Sequence, residues 1–104
     1  MATVYEVMNA LRATPASYTV SVANTFTPVH TYLNELKDEC WLSATFTFLT
    51  CTVGELINEL DKCPGHFKLR TVIMIDSRVR QASVLNSTVI DHDNKNVVLQ
   101  TLAD

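Results

Sequence analysis

The chain has 104 residues, of which 47% are hydrophobic and 18% charged, and it carries a formal net charge of -3. This composition supports one packed core and argues against disorder. The slightly acidic balance does not favour nucleic acid as a partner, because binding to phosphates needs an excess of basic contacts. The two glycines are too few to build a glycine-rich phosphate loop.

The first residues have no basic segment followed by an apolar run, so we expect no secretion signal, and no apolar run approaches the roughly 18 residues that cross a membrane. The three cysteines, Cys40, Cys51 and Cys63, include no C-x-x-C pair and fit reduced, buried thiols in a reducing compartment. We therefore expect a cytoplasmic protein without membrane contact that folds as a single compact domain over residues 1–104.

The main feature of the sequence is an internal repeat. Residues 3–11 share Thr, Val, Glu, Asn and Leu with residues 52–60 at an offset of 49, and Pro15 and Pro64 keep this offset. Later matches have an offset of 52: Thr19-Val20 with Thr71-Val72, and Leu33-Asn34 with Leu85-Asn86. We expect two copies of one unit, repeat 1 over residues 2–50 and repeat 2 over residues 51–104.

Each copy begins with a predicted amphipathic helix. Thr3 and Glu6 have the spacing of a capping box, in which the hydroxyl and the carboxylate each accept a backbone N–H, and Thr52 and Glu55 repeat it. Apolar residues follow at the i, i+3, i+4 and i+7 spacing of a buried helix face. They are Val4, Val7, Met8 and Leu11 in the first copy and Val53, Leu56, Ile57 and Leu60 in the second. A proline ends each helix, because the residue before proline disfavours the α conformation.

Extended segments complete each copy, as alternating apolar and polar residues indicate. The predicted strands are 18–23, 30–34 and 42–50 in the first copy, and 67–76, 79–85 and 96–101 in the second, with 88–91 as a short strand or an extension. The expected fold is α+β, with tandem α-β-β-β repeats and two short helices packed on an antiparallel sheet of about six strands.

A copy of about 50 residues buries little surface by itself. We expect the two copies to share one core around a pseudo-two-fold axis, as the subunits of a symmetric dimer do. The sequence leaves two arrangements open, one sheet with both helices on one face or two three-stranded sheets that face each other. It is also compatible with a homodimer of the whole chain.

The second copy carries a family resemblance. Its helix segment Thr52-Val53-Gly54-Glu55-Leu56-Ile57-Asn58-Glu59-Leu60, then Pro64 and a strand that ends at Asp76, resembles small proteins, often from bacteriophages. These share a T-V-x-E-L-I-x-x-L helix, a proline turn and a hydrophobic strand ending in Asp. The first copy resembles them more loosely, with Tyr5 in place of Gly54. The resemblance assigns no catalytic residue. It implies a phage or mobile-element accessory protein that binds and modulates or inhibits a host protein, such as a host defence component.

Side chains in catalytic patterns are sparse. The sequence has no serine-hydrolase or zinc-hydrolase motif, and helix capping explains the spacing of Glu6 and Glu55. His92 lies between Asp91 and Asp93 at a predicted turn, where Asp side chains accept backbone N–H groups. We expect no enzymatic activity, no catalytic residues, no metal site and no cofactor.

Two segments have the residues of a protein-binding surface. Residues 24–30 form a predicted loop with an aromatic side chain beside a proline, and residues 35–41 bring the only tryptophan next to an acidic run. Aromatic side chains at a polar rim are typical of interface anchors, although they can equally cover a small core. The candidate contact residues are Phe26, His30, Asp38, Glu39 and Trp41.

The alternative is an anion site in the second copy. Lys68, Arg70, Arg78 and Arg80 lie on and around its long predicted strand. On one shared face they would bind a nucleotide or another anion, and the protein would sequester that ligand. On a solvent-facing strand the same residues would instead discourage edge-to-edge aggregation.

Overall fold

The computed structural model describes residues 2–47 and 49–103. Over these residues the chain has an α+β fold with two helices and one seven-stranded sheet. In chain order the elements are α1 (Val4–Arg12), β1 (Thr19–Val22), β2 (Thr27–Asn34), β3 (Glu39–Thr45), β4 (Cys51–Thr52), α2 (Val53–Leu60), β5 (Lys68–Ile75), β6 (Arg78–Asp91) and β7 (Asn96–Ala103). Neither helix has the length and hydrophobicity needed to cross a membrane.

The sheet is mixed, with the strand order β2-β3-β5-β6-β7-β1-β4. The prediction of an antiparallel sheet is wrong at two places, because β3 runs parallel to β5 and β1 runs parallel to β7. Parallel neighbours need a crossover connection rather than a hairpin. The connection from β3 to β5 contains α2, and the connection from β1 to β7 contains most of the chain.

The predicted strands differ from the observed ones in three respects. The two-residue β4 is an additional strand, and residues 79–85 and 88–91 belong to one long strand, β6. The predicted loop over 24–30 is extended from Thr27 onward, where β2 begins. The predicted strand 42–50 starts earlier, as β3, and ends at Thr45. Phe48, in the same predicted segment, lies outside the described residues.

Both predicted helices are confirmed with their N-cap threonines, but among the described residues the predicted capping box is complete only at α2. The Thr3 hydroxyl accepts the N–H of Glu6 at 3.3 Å. At α2 the capping box is complete, because Thr52 accepts the N–H of Glu55 at 3.2 Å and the Glu55 carboxylate accepts the N–H of Thr52 at 3.2 Å. The predicted apolar faces are buried, with Ile57 of α2 only partly so. The spacing of capping and apolar residues therefore predicted both helices correctly.

One face of the sheet packs against the helices, and we call it the inner face. Its fully buried leucines, Leu42, Leu69, Leu85 and Leu99, form one core cluster with the buried residues of both helices. The opposite face, which we call the outer face, is not covered by either helix. Of the two arrangements left open by the sequence, the structure has the single sheet with both helices on one face.

The connection from β1 to β2 is a tight turn closed by backbone hydrogen bonds. A short backbone bridge joins Val22 of β1 to Phe26, just before β2, where the Val22 N–H donates to the Phe26 carbonyl at 2.7 Å. Farther along β2, Glu59 of α2 accepts the N–H of Thr31 at 3.0 Å and its hydroxyl at 2.9 Å. α2 thus binds the edge of β2 that faces away from β3.

Candidate protein-binding face

A row of side chains crosses five strands on the outer face. Tyr32 of β2 pairs in register with Trp41 of β3, which pairs with Arg70 of β5. Arg70 pairs with Val84 of β6, and Val84 pairs with Leu102 of β7. Because register partners project from the same face of a sheet, these five residues form one continuous band. We call it the outer row.

The outer row is open to solvent at its ends and better packed in its centre. Tyr32 is 60% exposed and Leu102 is 54% exposed, whereas Trp41, Arg70 and Val84 are half-buried. Exposed apolar side chains are common singly on protein surfaces, but a contiguous set is typical of an interaction site. The row has the arrangement of such a site, with an aromatic residue and an arginine between more exposed apolar residues.

Glu39 holds the centre of the outer row in place. One of its carboxylate oxygens accepts the indole N–H of Trp41 at 3.3 Å, and the other accepts a guanidinium N–H of Arg70 at 3.3 Å. The Arg70 guanidinium carbon also lies 5.4 Å from the centre of the Trp41 ring, within the range of a cation–π contact. The carboxylate therefore fixes both an aromatic side chain and a cation. We call these three residues the Glu39–Arg70–Trp41 triad.

This ion pair is unusual for the surface of a small protein. The side chains of Arg70 and Glu39 are only 17% and 9% exposed. Two charges removed from water in this way are stabilised by each other, and either one alone would be costly to keep buried. The geometry consequently favours a rigid triad over two independently moving side chains.

A shallow cavity adjoins the outer row toward the β5–β6 hairpin. Its volume is ≈ 340 Å³, and its lining includes His30, Tyr32, Met74 and Ser77. His30 is exposed, and its backbone carbonyl accepts the Ser43 hydroxyl at 3.2 Å. The outer face therefore combines a fixed aromatic centre with a concave region beside it.

The structure brings three of the five predicted contact residues onto the outer face. His30, Glu39 and Trp41 lie there on β2 and β3. Phe26 is instead half-buried, packs against the core and joins β1 to β2. Asp38 is exposed in the turn before β3, where it adopts a positive φ of 52° and its carbonyl accepts the Lys68 N–H at 3.0 Å.

Three residues of the face were missed by the sequence analysis, namely Tyr32, Val84 and Leu102. Tyr32 alternates with His30 along a predicted strand, which is a signal that both point to the same side. Nothing in the sequence indicates that this side meets Trp41, because their register is set by pairing between strands. Arg70 was predicted for the alternative anion site and is here a partner of Glu39.

The four residues of the predicted anion site are not brought together. Lys68 is the first residue of β5, and Arg78 pairs with Ile75, the last residue of that strand. At about 3.3 Å per residue, the two ends of β5 are roughly 23 Å apart. Arg80 lies at the bulge opposite Ile73 and Met74, and Arg70 is bound to Glu39. The cations are thus spread along a hairpin and do not converge on one point.

A second cavity, of ≈ 350 Å³, lies between α2 and the start of β2 and includes Glu55 and Glu59 in its lining. Both carboxylates are used to hold the helix in place. Glu55 completes the cap of α2, and Glu59 accepts hydrogen bonds from Thr31 and from Lys62, the latter at 3.0 Å. Burial by itself raises the pKa of Glu59, but the hydrogen bonds from Lys62 and Thr31 outweigh it, and the pKa lies below its ordinary value.

The segment around His92 forms the predicted turn. The Asp91 carboxylate accepts the side-chain amide of Asn94 at 2.7 Å and the backbone N–H of Asp93 at 3.1 Å. The Asn94 side chain, and then its backbone N–H, lower the pKa of Asp91. The Nδ1 atom of His92 lies 3.0 Å from the Tyr18 hydroxyl. Within residues 2–47 and 49–103, no group of three or more His, Cys, Asp or Glu side chains is placed to hold a metal ion.

Comparison of the chain with protein-family models, with curated proteins and with solved structures found no match.

Proposed function

We propose that the outer face is a docking surface for another protein, with Trp41 and Arg70 as its anchors. The observation that supports this most directly is the outer row itself, a band across five strands that leaves Tyr32 and Leu102 more than half exposed and that neither helix covers. On this proposal the protein acts by binding and not by catalysis.

The chemistry of the row fits a protein partner. Trp, Tyr and Arg dominate the binding energy of protein interfaces, because they bury a large area and also carry polar groups. Glu39 already orders Trp41 and Arg70 in the free protein. Less side-chain entropy is then lost when the partner binds, which strengthens the association. The partner that complements this face has an exposed apolar surface of its own.

The biological setting we propose follows the resemblance of the second copy to small phage proteins. In that setting the chain is an accessory protein of a phage or mobile element, works in the cytoplasm of the host cell, and modulates or inhibits a host protein, such as a host defence component. The anion-binding alternative has less support, because Lys68 and Arg78 lie at opposite ends of β5.

We also propose that the fold descends from a tandem duplication, with the two copies related by a pseudo-two-fold axis. Reciprocal hydrogen bonds between the first and second halves support this. They come in pairs at the constant offset of 49: Val4 N–H to Phe67 O and Val53 N–H to Tyr18 O, both 2.8 Å, and Tyr5 N–H to Gly65 O and Gly54 N–H to Ala16 O, at 2.9 and 3.1 Å. Reciprocal contacts of this kind are expected of an isologous interface.

The two parallel strand pairs support the same proposal. Lys68 pairs with Glu39, and Thr19, which is 49 positions before Lys68, pairs with Asn96. This pairing makes Asn96 the counterpart of Glu39, at an offset of 57. Counterparts in β1 and β5 are thus 49 positions apart, and counterparts in β3 and β7 are 57 positions apart. The predicted offset of 52 does not agree with this strand pairing. The additional residues lie in longer strands, since β5 and β6 have 8 and 14 residues where β1 and β2 have 4 and 8.

The duplication bears on function because the counterpart of Trp41 is an aliphatic residue. At the offset of 57 that position is Val98, which is buried on the outer face. The second parallel junction therefore lacks an aromatic anchor, and we expect the docking surface to lie on one side of the proposed axis.

Affinity capture from host lysate tests the docking proposal when a matched pair of variants is used. Tyr32 in the outer row and Tyr5 on α1 are 60% and 61% exposed, so truncating either removes the same chemistry at the same accessibility. We expect the wild-type protein and Tyr5→Ala to retain one identified partner, and Tyr32→Ala and Trp41→Ala to lose it while their circular dichroism stays native.

The outcome against the proposal is equally specific. A partner that remains bound to Tyr32→Ala and Trp41→Ala, or that is lost with Tyr5→Ala, binds elsewhere. A purified protein that sediments as a dimer and becomes monomeric on Tyr32→Ala would show that the outer row binds a second copy instead of a host protein. For a charge reversal at the acidic run, Asp38→Lys is preferred to a change at Glu39. Reversing Glu39 would also break the ion pair between Glu39 and Arg70.

A further inference from the structure

Two cysteine thiols from distant parts of the chain meet in the core. The Sγ atoms of Cys40, in β3, and Cys63, three residues after α2, are 2.8 Å apart. Both side chains are reduced and buried, as the sequence predicted. A disulfide bond of about 2.04 Å is shorter than this separation by only about 0.8 Å. The two sulfur atoms therefore already lie close to bonding distance.

Only one of the two thiols has a route to solvent. Cys40 is 0% exposed, whereas Cys63 is 9% exposed and lines a cavity of ≈ 160 Å³ between the two helices, together with Arg12 and Asp61. A small oxidant entering this cavity meets Cys63 first and has Cys40 directly behind it.

We propose that Cys40 and Cys63 are a redox-modification site at which a hydroperoxide produces an intramolecular disulfide. In the first step the Cys63 thiolate attacks the peroxide, the O–O bond breaks, and Cys63 becomes a sulfenic acid while hydroxide or alkoxide leaves as water or alcohol. In the second step the Cys40 sulfur attacks the Cys63 sulfur and the S–O bond breaks. The departing hydroxide takes the Cys40 proton, which gives one disulfide and one water.

The environment of Cys40 fits its role as the second thiol. Burial, and then the hydrogen bond with Cys63, raise the pKa of Cys40 well above its ordinary value. Cys40 therefore keeps its proton and does not react until a sulfenic acid forms beside it. Burial likewise raises the pKa of Cys51, to about 11, and a protonated thiol reacts slowly with peroxide.

The disulfide would tie the end of α2 to the strand that carries the triad. Cys40 lies between Glu39 and Trp41 in β3, although its side chain points to the inner face. Glu59 already connects α2 to β2 through Thr31. Oxidation would add a covalent link next to this hydrogen bond and restrict opening of the core beneath the outer row.

The test uses a Cys51→Ser background, for a reason found in the sequence. Trypsin cleaves after Lys37, Lys62 and Lys68, which leaves Cys40 and Cys51 in one peptide, 38–62, and Cys63 in the next, 63–68. With Cys51 removed, a cross-link between these peptides can only join Cys40 to Cys63. Folded protein is treated with hydrogen peroxide and examined by non-reducing intact-mass and peptide mass spectrometry.

We expect the oxidised protein to lose the mass of two hydrogen atoms, to show the 38–62 to 63–68 cross-link, and to melt roughly 10 °C or more above the reduced form. Addition of dithiothreitol should reverse both changes. The variant Cys63→Ser should show neither, and it serves as the control because its side chain is next to solvent and its replacement leaves the fully buried Cys40 in place. Retention of both thiols, oxygen addition at Cys63 without a cross-link, or an unchanged melting temperature after cross-linking would overturn the proposal.

Discussion

The sheet has two parallel strand pairs, and the side chains on their outer faces differ in charge. Where β3 meets β5, the outer face carries the Glu39–Arg70 ion pair. Where β1 meets β7, the corresponding side chains are neutral, and the Thr19 hydroxyl donates to the Asn96 side-chain carbonyl at 3.0 Å. We call these the charged junction and the neutral junction.

Comparing the two junctions shows which side-chain contacts are sufficient to join two parallel strands and which are additional. The neutral junction shows that short polar side chains suffice to join two such strands. The charged junction uses a carboxylate and a guanidinium for the same purpose, and desolvated charges seldom add stability over a neutral alternative. The extra chemistry at the charged junction also orders Trp41, which we interpret as preparation for a partner.

Loss of one charge at the charged junction is expected to have the largest effect on stability. Replacing Arg70 with Ala leaves the Glu39 carboxylate buried without its cation, which costs about 3–5 kcal/mol. Urea unfolding of Arg70→Ala and wild type measures the difference. Emission from Trp41, the only tryptophan, reports whether the triad has opened.

A double variant distinguishes a buried ion pair from a surface one. If the pair is truly desolvated, Glu39→Gln combined with Arg70→Met should be more stable than Arg70→Ala alone, because no charge is left unbalanced. Additive losses in the double variant would instead show that water screens the two groups and that the junctions differ less than their exposure indicates.

The helices beside the two junctions also differ, and acid should reveal this. Glu59 of α2 has a lowered pKa and binds β2, whereas the residue 49 positions earlier, on α1, is Ala10. A carboxylate with a lowered folded pKa stabilises the protein fully above its ordinary value of 4.5, and this contribution is lost as the pH falls through the lower folded value. Glu59→Gln should therefore be less stable than wild type at pH 7 and lose less stability on acidification.

Thermal melts of the two proteins between neutral pH and the acid limit of folding measure this effect. The curves should converge as the pH decreases. Parallel curves would mean that the hydrogen bonds from Thr31 and Lys62 do not lower the pKa of Glu59 enough to affect folding.

At the neutral junction we expect a smaller effect. Thr19→Val removes one hydroxyl hydrogen bond to Asn96 while keeping the shape of the side chain, and the cost should be about 1 kcal/mol. The same urea experiment measures it. A loss as large as that of Arg70→Ala would contradict the distinction between the two junctions.

The smallest effect on stability should come from the most exposed end of the outer row. Tyr32→Ala truncates a side chain that is 60% exposed, and substitutions at such sites usually change the free energy of unfolding by no more than about 0.5 kcal/mol. Equal melting temperatures for Tyr32→Ala and wild type would leave loss of partner binding as the only consequence. A large destabilisation would instead place Tyr32 in the packing of β2 against β3.

Much of the local structure could be predicted from the sequence. The Thr52–Glu55 spacing predicted the cap of α2, and the stripe of Val4, Val7, Met8 and Leu11 predicted the buried face of α1. The Asp and Asn residues around His92 indicated the turn before β7. These features depend on side chains within about one helical turn or one hairpin turn of each other, so their residues need no distant partner.

The candidate site could be predicted only in part. Trp41 and Glu39 could be predicted, because an aromatic residue beside an acidic run is typical of an interface. Their partner Arg70 lies 31 positions from Glu39 and was predicted for a different site. No spacing rule connects the two residues, since they meet through the parallel register of β3 and β5.

The sequence by itself determined where the helices begin, which of their faces are buried, and where the chain turns, because each depends on contacts between near neighbours. The tertiary structure decided that β3 and β1 run parallel to β5 and β7, and therefore which side chains share the outer face. Strand register depends on hydrogen bonds between segments far apart in the chain, and a shift of one residue would have turned Trp41 toward the core.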